Sequence, residues 1–375
     1  MQQSGASHGA VVVYAPNQRD YARSHERGTL TQIAKKLAAL KGCAFAGEYD
    51  LARRYPGPVY FVPSETLVGA ETAKDLGIGS EHDLFGGVVP HPFVATKAIA
   101  HSLVRPDARA PAGWSHEFGR LVRGAVLSGF SAFTREDARR AGACLLEQGP
   151  VRIKPVRATG GRGQVVVSGT AELEAALDAV ESATLSQDGL VLEEDLTNVI
   201  TYSVGQVRVA ELVASYYGTQ RLTPDNSGAA VYGGSELTVI RGGFAALLEL
   251  DLSREIRLAV AQARVYDAAA TEAFPGMFAS RRNYDVAVGL DARGRPRSGV
   301  LEQSWRIGGA SGAEIAALEA FRADPALAVV RAATVEVYGE SAVVPPHAAV
   351  SFRGVDERVG LITKYTLVGP HGDAR

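Results

Sequence analysis

The chain has 375 residues, more than one hydrophobic core usually serves, so two or three packed lobes are expected. Hydrophobic residues make up 46%, charged residues 21% and the formal net charge is -2, which leaves no electrostatic footprint for a nucleic-acid partner; Cys43 and Cys144 form neither a disulfide framework nor a zinc pattern. Met1-Gln2-Gln3-Ser4-Gly5 has no basic n-region, and no apolar stretch approaches the ~20 residues of a membrane helix, so the expectation is a cytoplasmic protein without a membrane partner.

Ala10 to Tyr14 is a short apolar run ending in Ala15-Pro16-Asn17, which predicts a buried strand and a turn. Thr31 to Leu40 carries Ile33, Leu37 and Leu40 at helical spacing. Pro58 to Pro63 and Leu84 to Pro90 predict two more strands, so residues 1–90 read as a parallel α/β lobe. His91-Pro92 precedes a predicted helix holding Lys97, and Arg105 to Gly113 reads as a loop. Thr134-Arg135-Glu136-Asp137 predicts a capped helix start.

Val151 to Pro155 and Gln164 to Val167 flank Ala158-Thr159-Gly160-Gly161-Arg162-Gly163, predicting a β-hairpin with a glycine-rich tip. A helix capped by Thr170 follows, with Leu173, Ala176, Leu177 and Val180 on one face. Leu190 to Leu196 is an apolar strand ending in Glu193-Glu194-Asp195. Thr201 to Tyr217 reads as extended and the glycine-rich Gly228 to Gly243 as loop. Arg254 to Phe274 and Glu314 to Phe321 predict helices. Strands are expected at Tyr284–Leu290, Ser298–Leu301, Val335–Tyr338 and Leu361–Leu367.

Of 39 basic residues, 32 are Arg and 7 are Lys, so each lysine invites a role Arg would fill badly, such as a compact charge on a phosphate. Lys154 stands on a strand six residues before the Gly160-Gly161-Arg162-Gly163 tip, where glycine N–H groups could approach the same anion. An ordinary hairpin with a surface lysine has the same spacing. The motif is neither a P-loop nor a Rossmann fingerprint. Glu193, Glu194 and Asp195 could accept from an adenine amine or ribose hydroxyls, or form a solvated acidic turn. Asp285 and Glu302 lie on predicted neighbouring strands and could hold Mg²⁺ or Mn²⁺. Arg306 follows, before Gly308-Gly309, and could neutralise a phosphoryl group or simply pair with a nearby acid.

Taken in order, these pieces resemble the ATP-grasp superfamily over about Lys97 to Gly312. The resemblance implies an α/β and α+β protein divided as a 1–90 N-terminal α/β domain, a 91–187 small lobe and a 188–375 large lobe. It implies that Lys97, Lys154, Gly160, Gly161, Arg162 and Gly163 hold phosphates and that Glu193, Glu194, Asp195 and Leu196 grip adenosine. Asp285, Glu302 and Ser304 would bind metal, Ser304 standing where the family has Asn. Arg306 and Lys154 would be catalytic. The cofactors expected are ATP with Mg²⁺ or Mn²⁺.

The activity this implies is a ligase that phosphorylates a carboxylate and captures the acyl phosphate with an amine or other nucleophile, releasing ADP and phosphate. The partners are small-molecule carboxylate and nucleophile substrates, and a homodimer is compatible. Biotin-carboxylase-like activation of bicarbonate and a catalytically weak nucleotide-binding sensor are the rivals. Tyr216 to Gln220 and Tyr232 to Ser235 are candidate acceptor-pocket residues. As a lid residue, Lys154 is expected to be dispensable for folding.

Overall fold

The structure, a computed structural model, describes residues 9–16, 24–157, 163–340 and 342–369. The apolar strand β1 (Ala10–Tyr14) is flanked by β2 (Ala44–Glu48) and β3 (Val59–Pro63), both parallel to it. The helix His25–Lys41 buries Leu30, Ile33 and Leu37 beside Val11 and Val13; it ends at Gly42, whose φ of 67° favours glycine. β2 escaped the sequence reading because Ala44-Phe45-Ala46-Gly47-Glu48 has no β-branched residue and is nowhere fully buried, and its pairing with β1 defines it. Leu84–Pro90 does not extend this sheet. Only Leu84 bridges Phe61, while β4 (Leu67–Val68) and β5 (Gly87–Val89) form a separate parallel pair.

The segment bearing Lys97 is two 3-10 turns, Pro92–Ala95 and Lys97–Ala100, rather than one helix. Thr96 between them is extended, with its hydroxyl accepting from Ala98 N at 3.2 Å. Next comes a four-stranded antiparallel sheet in the order β6-β9-β7-β8: β6 (Gly129–Ala132), β7 (Val151–Pro155), β8 (Val165–Val167) and β9 (Leu190–Glu194). β9 hydrogen-bonds to β6 and β7, so this sheet draws on both sides of residue 187. The helices Arg135–Leu146 and Thr170–Asp178 cover it, packing Ala141, Leu145, Leu173 and Leu177 on Val151, Ile153 and Leu192. Thr134 caps the first, accepting from Asp137 N at 3.1 Å. Thr170 does not cap the second. The N-cap is Gly169, and Glu172 instead accepts from Ser168 N at 2.6 Å.

The remainder is built on an eight-stranded sheet. It begins with β10 (Thr197–Val209), β11 (Leu212–Pro224) and β12 (Ala230–Arg241). β13 (Phe278–Ala279) leaves it to pair with β5, and β14 (Arg281–Leu290), β15 (Pro296–Ser304), β16 (Val329–Tyr338), β17 (Ala349–Asp356) and β18 (Gly360–Val368) complete it. The order is β15-β14-β10-β11-β12-β16-β18-β17, and the pairings are antiparallel.

Gly228–Gly243 is therefore mostly strand, against the loop expected. Its glycines serve pairing. At Gly234 (φ 131°) a Cβ would lie 2.0 Å from Thr334 O on the neighbouring strand. The helix Ser311–Ala323 joins His25–Lys41 and one sheet face in a core with Val207, Tyr216 and Leu237. The helix Arg254–Ala273 packs with Val204, Tyr284, Val286 and Val300. No helix of the described residues is long and apolar enough to cross a membrane.

Candidate functional site

Lys154 lies on β7 opposite Val191 of β9, so it shares a face with Glu193 two residues on. Lys154 is 4% exposed and Glu193 1%, and their side chains form an ion pair. Lys154 is thus a buried partner of an acid, not the surface lysine of an ordinary hairpin. His101 joins them, with Nε2 3.1 Å from Glu193 Oε2. Gly129 makes room for it, since a Cβ there would come within 2.7 Å of the His101 ring. Burial acts to raise the Glu193 pKa, but Lys154 and His101 outweigh it and bring the carboxyl to about 2.

The other two acids of the Glu193-Glu194-Asp195 run are also engaged. Glu194 accepts from Arg297 Nη2 at 2.6 Å and from Ser128 N at 2.8 Å. Asp195 accepts from Arg152 Nη2 at 2.6 Å, while its own N–H donates to Pro150 O. Leu196 is buried with Leu127 and Ala287. All three carboxylates proposed to grip adenosine are paired with protein side chains.

Lys97 is buried and contacts Glu302 Oε2 at 2.8 Å. Register makes Glu302 of β15 the direct partner of Asp285 on β14, as the sequence suggested. Asp285 accepts from Ser203 Oγ (3.1 Å), Asn283 Nδ2 (3.0 Å) and Gln220 Nε2 (2.9 Å). Its pKa is raised, first by burial and then by Glu302. Gln303 fixes the Lys97 turns by donating to Val94 O and Thr96 O, and Ser131 Oγ donates to Ala98 O. The two 3-10 turns therefore bridge the two sheets: Lys97 meets Glu302 beside Asp285, and His101, four residues on, meets Glu193 and through it Lys154, an array of six ionisable side chains in two groups.

Ser304 and Arg306 continue β15 and its end beyond Glu302. Arg281, 1% exposed, donates from Nη1 to Ser304 O and Oγ (both 3.2 Å) and to Arg306 O (2.6 Å). Its Nε and Nη2 grip Glu314 at 3.1 and 2.8 Å. Burial lowers the Arg281 pKa, but Glu314 more than restores it, leaving it above the ordinary value. Tyr216 OH lies 2.6 Å from Glu314 Oε1 and 2.8 Å from Asn283 Oδ1. Ser304, expected beside metal, thus faces a guanidinium. Arg306 sits at the end of β15, Nη1 bonded to Ile307 O and Nε 3.9 Å from Glu65 Oε2.

Sequence reasoning missed His101, Arg281 and Glu314. The alternation Arg281-Asn283-Asp285 on one strand face was the available signal. Tyr216 is core rather than pocket lining, while Gln220 does reach the acids. Tyr232 OH is 2.7 Å from Ser235 Oγ and presses on Gly309, where a Cβ would lie 2.4 Å from its ring. Of the tip, Gly160, Gly161 and Arg162 lie outside the described residues; Gly163 has φ 67°.

A four-stranded and an eight-stranded antiparallel sheet, preceded by a parallel α/β unit and joined by a lysine-bearing segment, make the ATP-grasp layout the motifs resemble. The chain belongs to the family described as "Protein of unknown function (DUF3182)", whose model matches residues 13–366. No curated protein matches it. Among solved structures it is similar to N5-carboxyaminoimidazole synthetase of Staphylococcus aureus, with 10% identity over 99% of this chain and 95% of that one and a TM-score of 0.48. Biotin carboxylase of Campylobacter jejuni matches at 11% identity over 96% and 87%, TM-score 0.49. Phosphoribosylamine–glycine ligase of Thermotoga maritima matches at 14% over 96% and 92%, TM-score 0.46.

Proposed function

We propose that the protein is an ATP- and divalent-metal-dependent ligase that activates a carboxylate as an acyl phosphate for capture by an amine or other nucleophile. The observation that carries this is the array itself. At one end Glu193 is shared by Lys154 and His101, and at the other Asp285 faces Glu302 across adjacent strands. A basic end suits the phosphate chain and an acidic end suits a cation on that chain's far oxygens.

The donor set at the acidic end fits Mg²⁺ or Mn²⁺. Two carboxylates oppose each other across adjacent strands, and Ser203 Oγ, Asn283 Nδ2 and Gln220 Nε2 hold Asp285 by donating to it, so the oxygens offered to an ion are those of Asp285 and Glu302. Asp285 and Glu302 would hold the ion, which supplies charge neutralisation on the phosphoryl oxygens.

Lys154 and Lys97 would bind phosphate oxygens, with Gly160, Gly161, Arg162 and Gly163 as the lid. A substrate carboxylate oxygen attacks the γ-phosphorus in line. The bond to the β,γ-bridging oxygen breaks and its electron pair leaves with ADP. The nucleophile then attacks the acyl carbon and phosphate departs. Arg306, on the side of the array facing Glu65, would hold the carboxylate through that transfer.

A second reading, a nucleotide-binding sensor with little turnover, is favoured by one observation: Ser304 is engaged by Arg281. Incubation with ATP, Mg²⁺ and pooled carboxylates and amines separates the two. Substrate-stimulated ADP supports the ligase. AMP as the main product overturns the acyl-phosphate route, and binding without turnover favours the sensor.

A further inference from the structure

Two cross-strand pairs line one face of β14 and β15. Asp285 pairs with Glu302 and Asn283 pairs with Ser304. Arg281 continues the same face of β14, because alternate residues of a strand point the same way. The face therefore runs from two acids, through an amide and a hydroxyl, to a guanidinium within three positions. A site for two divalent cations would need oxygen ligands along this line, with one acid bridging the ions and the side chain at 304 reaching the second.

The 304 position is already claimed. Arg281 Nη1 lies 3.2 Å from Ser304 Oγ, 3.2 Å from Ser304 O and 2.6 Å from Arg306 O. The guanidinium cannot swing away at small cost. Glu314, fully buried, holds its other two nitrogens, and Tyr216 OH in turn braces Glu314. Arginine stays protonated under any working condition, so its charge is permanent. A divalent ion on Ser304 Oγ would sit a few ångströms from that charge, in a buried setting where like charges repel more strongly than in water. The hydroxyl is also shorter than an amide and cannot carry a ligand oxygen outward past the guanidinium.

We propose that the acid pair takes a single divalent cation, held by Asp285 and Glu302, and that Arg281 occupies at Ser304 the place a second cation would need. This rests on the nucleotide-binding reading above. It makes Arg281 a positioning residue, since it fixes the carbonyls of Ser304 and Arg306 and with them the turn that carries the Arg306 side chain.

The test is a metal count in the full-length protein. Mn²⁺ is titrated with the non-hydrolysable β,γ-imido analogue of ATP present, free Mn²⁺ is read by electron paramagnetic resonance, and analogue binding is read separately by calorimetry. One Mn²⁺ per chain in the analogue complex is expected. Ser304→Ala is expected to leave both the count and the Mn²⁺ affinity unchanged, and Ser304→Asn is expected to bind one ion as well, because the guanidinium remains. Two Mn²⁺ per chain in the unaltered protein, or a loss of about tenfold or more in affinity in Ser304→Ala, overturns the proposal while leaving the nucleotide reading in place. One ion in the unaltered protein but two in Ser304→Asn assigns the count to the serine and overturns the role given to Arg281. Absence of analogue binding overturns the nucleotide reading and this proposal together.

Discussion

The two ends of the charged array solve burial in opposite ways. Around Glu193, one acid is shared by two basic side chains, and the carboxyl is held at about 2 by that company. Around Asp285, an acid faces another acid, the hydrogen bonds from Ser203, Asn283 and Gln220 come from uncharged donors, and its pKa is pushed up. The first arrangement is neutralised without a ligand and presents basic side chains to an anion. The second is strained by its own burial and is relieved by a cation. The company each buried acid keeps separates the two ends, basic side chains at one and a second acid at the other.

The comparison breaks most decisively at Glu193. Glu193→Gln leaves two buried basic groups with a neutral partner and should destabilise the protein by about 3–5 kcal/mol, the usual cost of breaking a buried pair, measured by urea unfolding at pH 7. The sign of the pH dependence follows from the depressed pKa. The stabilisation is present above the ordinary carboxyl value of 4.5 and is lost as pH falls from there through about 2, so the variant's stability should be flatter in that window. A steep acid transition retained in the variant would remove Glu193 as its cause.

At the same end, Lys154→Ala should weaken binding of an ATP analogue by roughly 1.5–3 kcal/mol, the scale of hydrogen bonds to charged groups. Unlike a lysine on a lid surface, it should also lower the unfolding midpoint, because Glu193 is buried beneath it. Calorimetry with unchanged analogue affinity and a lowered midpoint would make the cluster structural only.

The acidic end is sharpened by Glu302→Gln, expected to reduce Mn²⁺ affinity ~10–100-fold, and more than Asp285→Asn does. Asp285 is already hydrogen-bonded at both oxygens, whereas Glu302 gives up only its contact with Lys97. Equal losses in the two variants would mean the acids act as one symmetric pair. Smallest is Thr134→Ala, which removes a helix cap remote from both ends. It should cost about 1 kcal/mol in unfolding and leave analogue and Mn²⁺ binding unchanged.

What was legible in the sequence was whatever lay on a single strand or at its end. Lys154, Glu193, Asp285 and Glu302 could be named because short apolar strands announce where their terminal charges emerge. The pairing of Asp285 with Glu302 followed from the intervening turn at Asp291–Gly294. Arg281 alternates with Asn283 and Asp285 on its strand, but its pairing with Glu314 was not legible, since a contact spanning 33 residues leaves no local pattern, and the link from Tyr216 to Glu314 spans 98. Glycine misled at Gly228–Gly243. Gly234 is required by close approach to Thr334 O within a sheet, yet in sequence it looks like the mark of a loop. The burial of Lys154 was hidden for a related reason: His101 and Glu193, which enclose it, come from elements 53 and 39 residues away.

One seam between the two sheets constrains how the molecule can move. Val300 N donates to Ala125 O at 2.8 Å, Arg297 grips both Glu194 and Ser128, and Gly299 lies so close to the segment before β6 that a Cβ would come within 2.4 Å of Leu127 N. Backbone pressed on backbone has no side chain to yield, so this edge acts as an axle. Opening between the sheets must turn about it, and the displacement of any atom grows with its distance from residues 125–128. The hairpin of β7 and β8 is separated from that edge by β9, which places β8 at the far end of the lever. An alanine at Gly299 would act on the axle itself, altering how fast the β7–β8 hairpin swings.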